Sequence, residues 1–272
     1  MKGVAFGQYY PAKSALHALD PRVKIILTVL YIVCSFLCRN ILSYALLLLS
    51  TLLLVILGRI PFKIILRGLR PVLIILAFTA ILNIFWTSGK ILLFEWAFIK
   101  IYAEGLYAAA FIMVRIVALI IGTSMFLTYT TTPIALTNAI EDILTPLKWL
   151  HVPVHTFAMM MTIALRFIPT LAEETDKIMT AQKARGADFS SGGLASRAKA
   201  LVPVLIPLFV SAFNRAGDLA TAMECRCYHG GEGRTRMNVR HVRFVDIIPL
   251  VLLIAFGVGL VMLNILGYGY TA

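Results

Sequence analysis

Apolar runs at about residues 23–38, 41–57, 71–86, 106–128 and 247–267 dominate this 272-residue chain. A bilayer core of about 30 Å takes roughly 17–25 helical residues to cross, so runs of this length are read as transmembrane segments. Lipid offers no hydrogen-bond partners to the backbone, and each segment must satisfy its own N–H and C=O groups as a helix. The predicted fold class is therefore an all-α integral membrane protein with about five transmembrane helices, the first and third short. Composition agrees, with 60% hydrophobic and 14% charged residues, against roughly 45–50% apolar and 25% charged in an average soluble domain.

The formal charge of +12 is read as loop charge facing anionic lipid and fixing orientation, not as a nucleic-acid surface. Lys2, Lys13 and Arg22 precede the first run and Lys24 lies at its edge, and Arg59, Lys63, Arg67 and Arg70 separate the second from the third, whereas Arg39 alone separates the first two. This asymmetry places the amino terminus and the 58–70 loop in the cytoplasm. Lys24 and Arg70 are expected to snorkel and so lengthen the two short spans. The loop at about 87–105 balances Lys90 and Lys100 against Glu95 and Glu104, flanked by Trp86 and Trp96 as interfacial anchors, and is expected outside. The amino terminus lacks the pattern of a secretory signal, so the first span is expected to direct insertion. Cys34, Cys38, Cys225 and Cys227 form no secreted disulfide pattern and are expected to be reduced.

Four spans return the chain to the cytoplasm near Tyr129. Residues 129–244 hold 13 of the 25 Lys and Arg residues and 9 of the 13 acids. The expected domains are thus a membrane domain at 1–128, a cytoplasmic domain at 129–244, and a last transmembrane span at 245–272. Within the middle region a helix is predicted around 133–150, starting at Thr132-Pro133. Leu165, Ile168, Ala172, Thr175, Met179 and Gln182 then mark one face of a long amphipathic helix. Leu201, Leu205, Leu208, Ala212, Leu219 and Met223 mark a second, whose apolar core at 201–213 contains Pro203 and Pro207 and is too short to span. A turn at Gly186–Ser196 and a basic loop at 229–236 bound the second helix.

The two helices end alike. Ile178-Met179-Thr180-Ala181-Gln182-Lys183-Ala184-Arg185-Gly186 recurs 41 positions later as Leu219-Ala220-Thr221-Ala222-Met223-Glu224-Cys225-Arg226-Cys227. Each copy delivers one arginine to a helix end, where a cation suits the negative end of the dipole. Glycine after Arg185 is an ordinary stop signal, but Cys227 is not an obvious one. Two equivalent arginine tips suit two equivalent acidic pockets on partners.

Leu16-His17-Ala18-Leu19-Asp20-Pro21-Arg22-Val23-Lys24, together with Ala184-Arg185-Gly186 and Cys225-Arg226-Cys227, resembles the transmembrane T component of energy-coupling factor transporters over nearly the whole chain. The second motif departs from that family's common Ala-Arg-Gly, both flanking positions being cysteine. The resemblance implies that the middle region is a coupling domain whose tips at Ala184, Arg185, Gly186, Cys225, Arg226 and Cys227 dock into two ABC-type ATPase subunits, alike or different. It further implies a small membrane subunit that captures a vitamin or transition-metal ion, so the substrate is not written in this chain. Met159, Met160 and Met161 are a candidate contact for that subunit, unbranched thioethers being easily repacked; simple core packing explains them equally.

In the amino-terminal signature His17, Asp20, Pro21, Arg22 and Lys24 are read as structural, with Asp20 capping a helix that starts at Pro21. Apart from Lys24 at the edge of the first, Arg115 is the one charge inside a predicted span and needs a polar partner on another helix or subunit, or a route to the interface. Cys225-x-Cys227-x-His229 and the pair His151 and His155 do not match metal-site spacing, so neither metal nor cofactor is expected. Glu173-Glu174-Thr175-Asp176 faintly resembles the acidic motifs of membrane prenyl-transfer enzymes. No phosphate-cradling Gly-x-x-x-x-Gly-Lys-Ser/Thr motif exists in the chain, so any ATP dependence has to come from a partner. A non-catalytic transducing subunit is the reading carried forward, with a lipid-diphosphate enzyme and a stand-alone permease as alternatives.

Overall fold

The computed structural model describes residues 9–87, 91–96, 99–189, 193–230 and 243–266. Lys2, Lys90 and most of the basic loop expected at 229–236 lie outside them. The chain divides into two compact units, residues 7–136 with 239–272, and residues 137–238.

The first unit opens with a short helix α1 (Ala15–Ala18) and continues through α2 (Pro21–Leu37), α3 (Ile41–Gly58) and α4 (Phe62–Trp86). A hairpin of β1 (Leu92–Trp96) and β2 (Ile99–Tyr102) follows, antiparallel, with Glu95 opposite Lys100 in register. This hairpin occupies the loop expected at 87–105 and is the one departure from an all-α integral membrane fold among the described residues. Then come α5 (Ala103–Thr123), extended by a π-helical turn (Ser124–Thr128), and, after the second unit, α9 (Phe244–Ile265).

The core helix is α2. Val23, Leu27, Tyr31, Cys34 and Cys38 are buried along it in steps of three and four, the spacing of one helix face. Small residues let its neighbours close in. A Cβ on Gly122 of α5 would sit 2.1 Å from the Tyr31 ring, and one on Gly257 of α9 would sit 3.1 Å from Cys34 Sγ. By contrast, the outward faces of α3, α4 and α9 expose large apolar side chains such as Ile74, Phe78, Leu52 and Leu252, the arrangement expected where the solvent is lipid.

Among the described residues six helices are long and apolar enough to cross a membrane: α3, α4, α5 with its π turn, α9, and the two long helices of the second unit. The chain is a multi-pass membrane protein. The first expected span corresponds to α2, which at 17 residues is shorter than these six. The third does not begin at Pro71, as the apolar pattern suggests. Its helix starts at Phe62 and runs through Pro71, so much of the expected 58–70 loop is helical.

The second unit holds α6 (Pro133–Leu144, begun in the first unit), a 3₁₀ segment (Thr145–Leu150), α7 (Val154–Ala184) and α8 (Leu194–Cys225). Helices α7 and α8 pack against each other and run antiparallel. Gln182, late in α7, reaches the carbonyl of Pro203, early in α8, while Glu174 meets Ser211 and Arg215. At 1.5 Å per residue each helix is about 45 Å long.

Candidate coupling site

Both long helices end in the same backbone device. In α7 the N–H of Gly186 donates to the Lys183 carbonyl at 3.0 Å, and that of Ala187 to the Gln182 carbonyl at 3.0 Å. In α8 the N–H of Cys227 donates to the Glu224 carbonyl at 2.8 Å, and that of Tyr228 to the Met223 carbonyl at 3.1 Å. These paired bonds define the Schellman stop, which needs a left-handed residue directly after the cap. Gly186 supplies it with φ of 88°, and Cys227 with φ of 54°. Cys227 is therefore a stop residue after all, although an L-residue there costs about 1–2 kcal/mol relative to its ordinary conformations.

Arg185 and Arg226 are the capping residues of these two ends. Ala184, Arg185, Gly186, Cys225, Arg226 and Cys227 are all exposed, and neither arginine makes a side-chain bond to another described residue. A guanidinium carried at an exposed helix end offers a planar array of donors that matches a carboxylate. Because the helices are antiparallel, the two tips lie at opposite ends of the pair. Tyr228, two residues beyond Arg226, donates its hydroxyl to Met159 Sδ at 3.0 Å, so the second tip lies beside the start of α7. From Met159 to Arg185 along α7 is about 40 Å.

The methionine run divides. Met159 is half-buried and held by Tyr228, while Met160 and Met161 are exposed by 55% and 40%. On α8, Leu201, Leu205, Ile206, Phe209, Val210 and Phe213 form a further exposed apolar stripe. Within the acidic run on α7, Glu174 accepts from Ser211 Oγ and, at 2.9 Å, from Arg215. A carboxylate so occupied ties two helices together. His155 likewise bonds Glu141 at 3.0 Å.

In the first unit, Asp20 Oδ1 accepts the Arg22 N–H at 2.9 Å and caps α2, with Pro21 in the first turn. His17 bridges Ser14 Oγ at 2.7 Å and the Tyr10 carbonyl at 2.8 Å, which folds the segment before α2 onto itself. Lys24 does not snorkel. It is 2% exposed, and its Nζ donates to the Thr130 carbonyl at 2.9 Å. Arg115 finds its partner on other helices of the same chain: it donates to the Cys38 carbonyl at 3.0 Å and to the Tyr44 hydroxyl, with its guanidinium over the Phe36 and Tyr44 rings. Cys38 caps the carboxyl end of α2, so the negative end of that helix dipole supplies the counter-charge. A polar partner on another helix was expected, but not which one, since it includes a backbone carbonyl 77 residues away.

Membrane spans, two exposed arginine tips and a capped amino-terminal signature characterise this multi-pass membrane protein. Residues 12–237 match the CbiQ family, described as cobalt transport protein. The chain is 54% identical over 245 residues to the energy-coupling factor transporter transmembrane protein EcfT of Ruminiclostridium cellulolyticum, covering 90% of this chain and 91% of that protein. It is 51% identical over 236 residues to EcfT of Bacillus subtilis, covering 87% and 89%, and 48% identical over 262 residues to EcfT of Thermosediminibacter oceani, covering 96% and 98%. The chain belongs to this family, as a transmembrane component of an energy-coupling factor transporter. It is a transporter membrane subunit that works within a complex.

Proposed function

We propose that this subunit is the mechanical link of an importer for vitamins or transition-metal ions, and that residues 137–238 form its cytoplasmic coupling domain. Arg185 and Arg226 dock onto two ABC-type ATPase subunits, alike or different, which carry all ATP hydrolysis; this chain contributes no catalytic residue. The exposed apolar stripe of α8 and the Met160 and Met161 side chains receive the small substrate-capturing membrane subunit. The amino terminus faces the cytoplasm of a prokaryotic cell.

One observation carries the reading: two helices end in the same stop motif, each presents an exposed arginine that bonds no other described side chain, and the two tips sit about 40 Å apart along an antiparallel pair. One partner groove does not need two such tips. Separate, equivalent grooves do. Although α7 and α8 are long enough to span, Arg166, Glu173, Glu174, Asp176, Lys177 and Lys183 lie along α7, and intramembrane charges of this density are too costly. That supports a place outside the bilayer.

The test is the double substitution Arg185→Glu with Arg226→Glu, purified in mild detergent from the native host. The expected result is an inserted, folded chain that no longer retains two ATPase subunits. Normal retention and normal ATP turnover by the double variant would overturn the proposal. Single substitutions should weaken retention less, each exposed charge pair being worth about 1 kcal/mol unless desolvated at the interface.

A further inference from the structure

Residues 129–136 carry the chain out of the membrane unit, and the residues up to Arg243 bring it back into α9. The described ends of both connectors meet the start of α2, one through Lys24 and the other through Asp246 and the Asp20 cap. On the outgoing side, Lys24 Nζ donates to the Thr130 carbonyl at 2.9 Å and lies 3.4 Å from Thr131 Oγ1. The neighbouring Tyr129 carbonyl accepts the Tyr10 N–H at 3.0 Å. On the returning side, Asp246 Oδ2 accepts the Arg243 N–H at 2.8 Å, and its Oδ1 accepts the Asp20 N–H at 3.2 Å. Asp20, Lys24 and Asp246 are 5%, 2% and 4% exposed.

Burying one ammonium and two carboxylates is expensive, and such groups persist where their geometry fixes a specific arrangement. Asp246 closes the capping box that starts α9, but its second oxygen and Lys24 are not needed to start α2. The Asp20 cap and Pro21 already do that with no help from Lys24 or Asp246. What the buried lysine and the second aspartate add is a fixed attachment for the two connectors of the unit inserted between them. A lever whose two leads run free would spend its stroke flexing them; one whose leads are pinned to the core helix transmits it.

We infer that Lys24 and Asp246 are positioning residues that clasp both connectors to the first turn of α2, so that displacement of residues 137–238 reaches the membrane helices. The inference rests on the coupling function proposed above and concerns how the stroke is passed on, not who supplies it. The clasp works through the backbone of Thr130, Arg243 and Asp20 and touches no substrate or nucleotide.

The experiment measures amide hydrogen exchange in the complex purified with its ATPase subunits, with and without a non-hydrolysable ATP analogue. In the wild type, nucleotide should alter exchange in α7 and α8 and also in α2, α5 and α9. Lys24→Met is the direct variant but risks misfolding, so Asp246→Asn and the near-isosteric Thr131→Val accompany it, with Lys24→Arg as the conservative control. In Asp246→Asn the amides of Asp20 and Arg243 should lose about tenfold in protection, the size of one weakened buried hydrogen bond. The nucleotide response of α2, α5 and α9 should shrink while that of α7 and α8 persists, and Lys24→Arg should retain both. A wild-type response in the spans of Asp246→Asn and Thr131→Val, or spans that ignore nucleotide in the wild type, would overturn the clasp. Absence of ATPase subunits from the wild-type preparation would instead overturn the coupling function.

Discussion

Gly186 and Cys227 occupy the same position of the same helix-ending motif, 41 residues apart, both with positive φ. Only glycine is at ease there. Cys227→Gly should therefore stabilise the second tip by about 1 kcal/mol, and Gly186→Ala should destabilise the first by a similar amount. Exchange protection of the Cys227, Tyr228, Gly186 and Ala187 amides reads both effects; opposite signs are expected, and equal signs would contradict the shared geometry.

Arg115 joins the carboxyl end of α2 to α3, one guanidinium nitrogen donating to the Cys38 carbonyl and to the Tyr44 hydroxyl while the group lies over the Phe36 and Tyr44 rings. Arg115→Met removes these contacts together and should lower stability by about 2–4 kcal/mol, leaving the Cys38 carbonyl without its donor inside the apolar layer. Arg115→Lys should recover only part, since one ammonium cannot reproduce the planar fork. Thermal unfolding in nanodiscs distinguishes the three proteins.

Gly122→Ala places a methyl group where the Tyr31 ring already lies. Overpacking of this kind costs about 1–3 kcal/mol or more when the ring has nowhere to turn, and Tyr31 is fully buried with its hydroxyl on Thr51 at 2.9 Å. The variant should accumulate poorly. Tyr31→Phe should not restore it, because the clash involves ring carbons, whereas Tyr31→Ala should restore insertion at the expense of a cavity.

Glu174 and Arg215 form a partly exposed pair between α7 and α8. Arg215→Ala should weaken the packing of α7 on α8 slightly and raise proteolysis between the helices, and exchanging the two charges should recover most of the loss. Magnesium-dependent turnover of a lipid diphosphate, abolished by changing Glu173, Glu174 or Asp176, would point to the enzyme reading instead.

The apolar runs at 41–57, 106–128 and 247–267 were legible because hydropathy reports directly on what a lipid-facing helix requires. Asp20-Pro21 was legible as a cap because capping is local. Lys24 was misread as a snorkelling residue: its partners, Thr130 and Thr131, are more than a hundred residues away, and no local pattern distinguishes a lysine reaching for water from one reaching for a carbonyl. Cys227 was misread for a related reason, since a left-handed cysteine is held by backbone bonds that leave no mark in residue type. At the candidate site the arginines were visible through their repeat, but their placement at opposite ends of an antiparallel pair was not, because it depends on how α7 folds back against α8.

The carboxyl end of α2 carries a kinetic consequence. Its carbonyls at Leu37 and Cys38 are met by Asn264 Nδ2, at 2.6 Å, and by Arg115. Asn264 follows Leu37 by 227 residues. At about 5–20 residues per second of synthesis, the first hairpin to enter the membrane waits at least about ten seconds for its final partner. Until then its corner has to be shielded by water, lipid headgroups or the insertion machinery. Truncations that remove α9 should accordingly be cleared by membrane proteases even though every earlier helix is present.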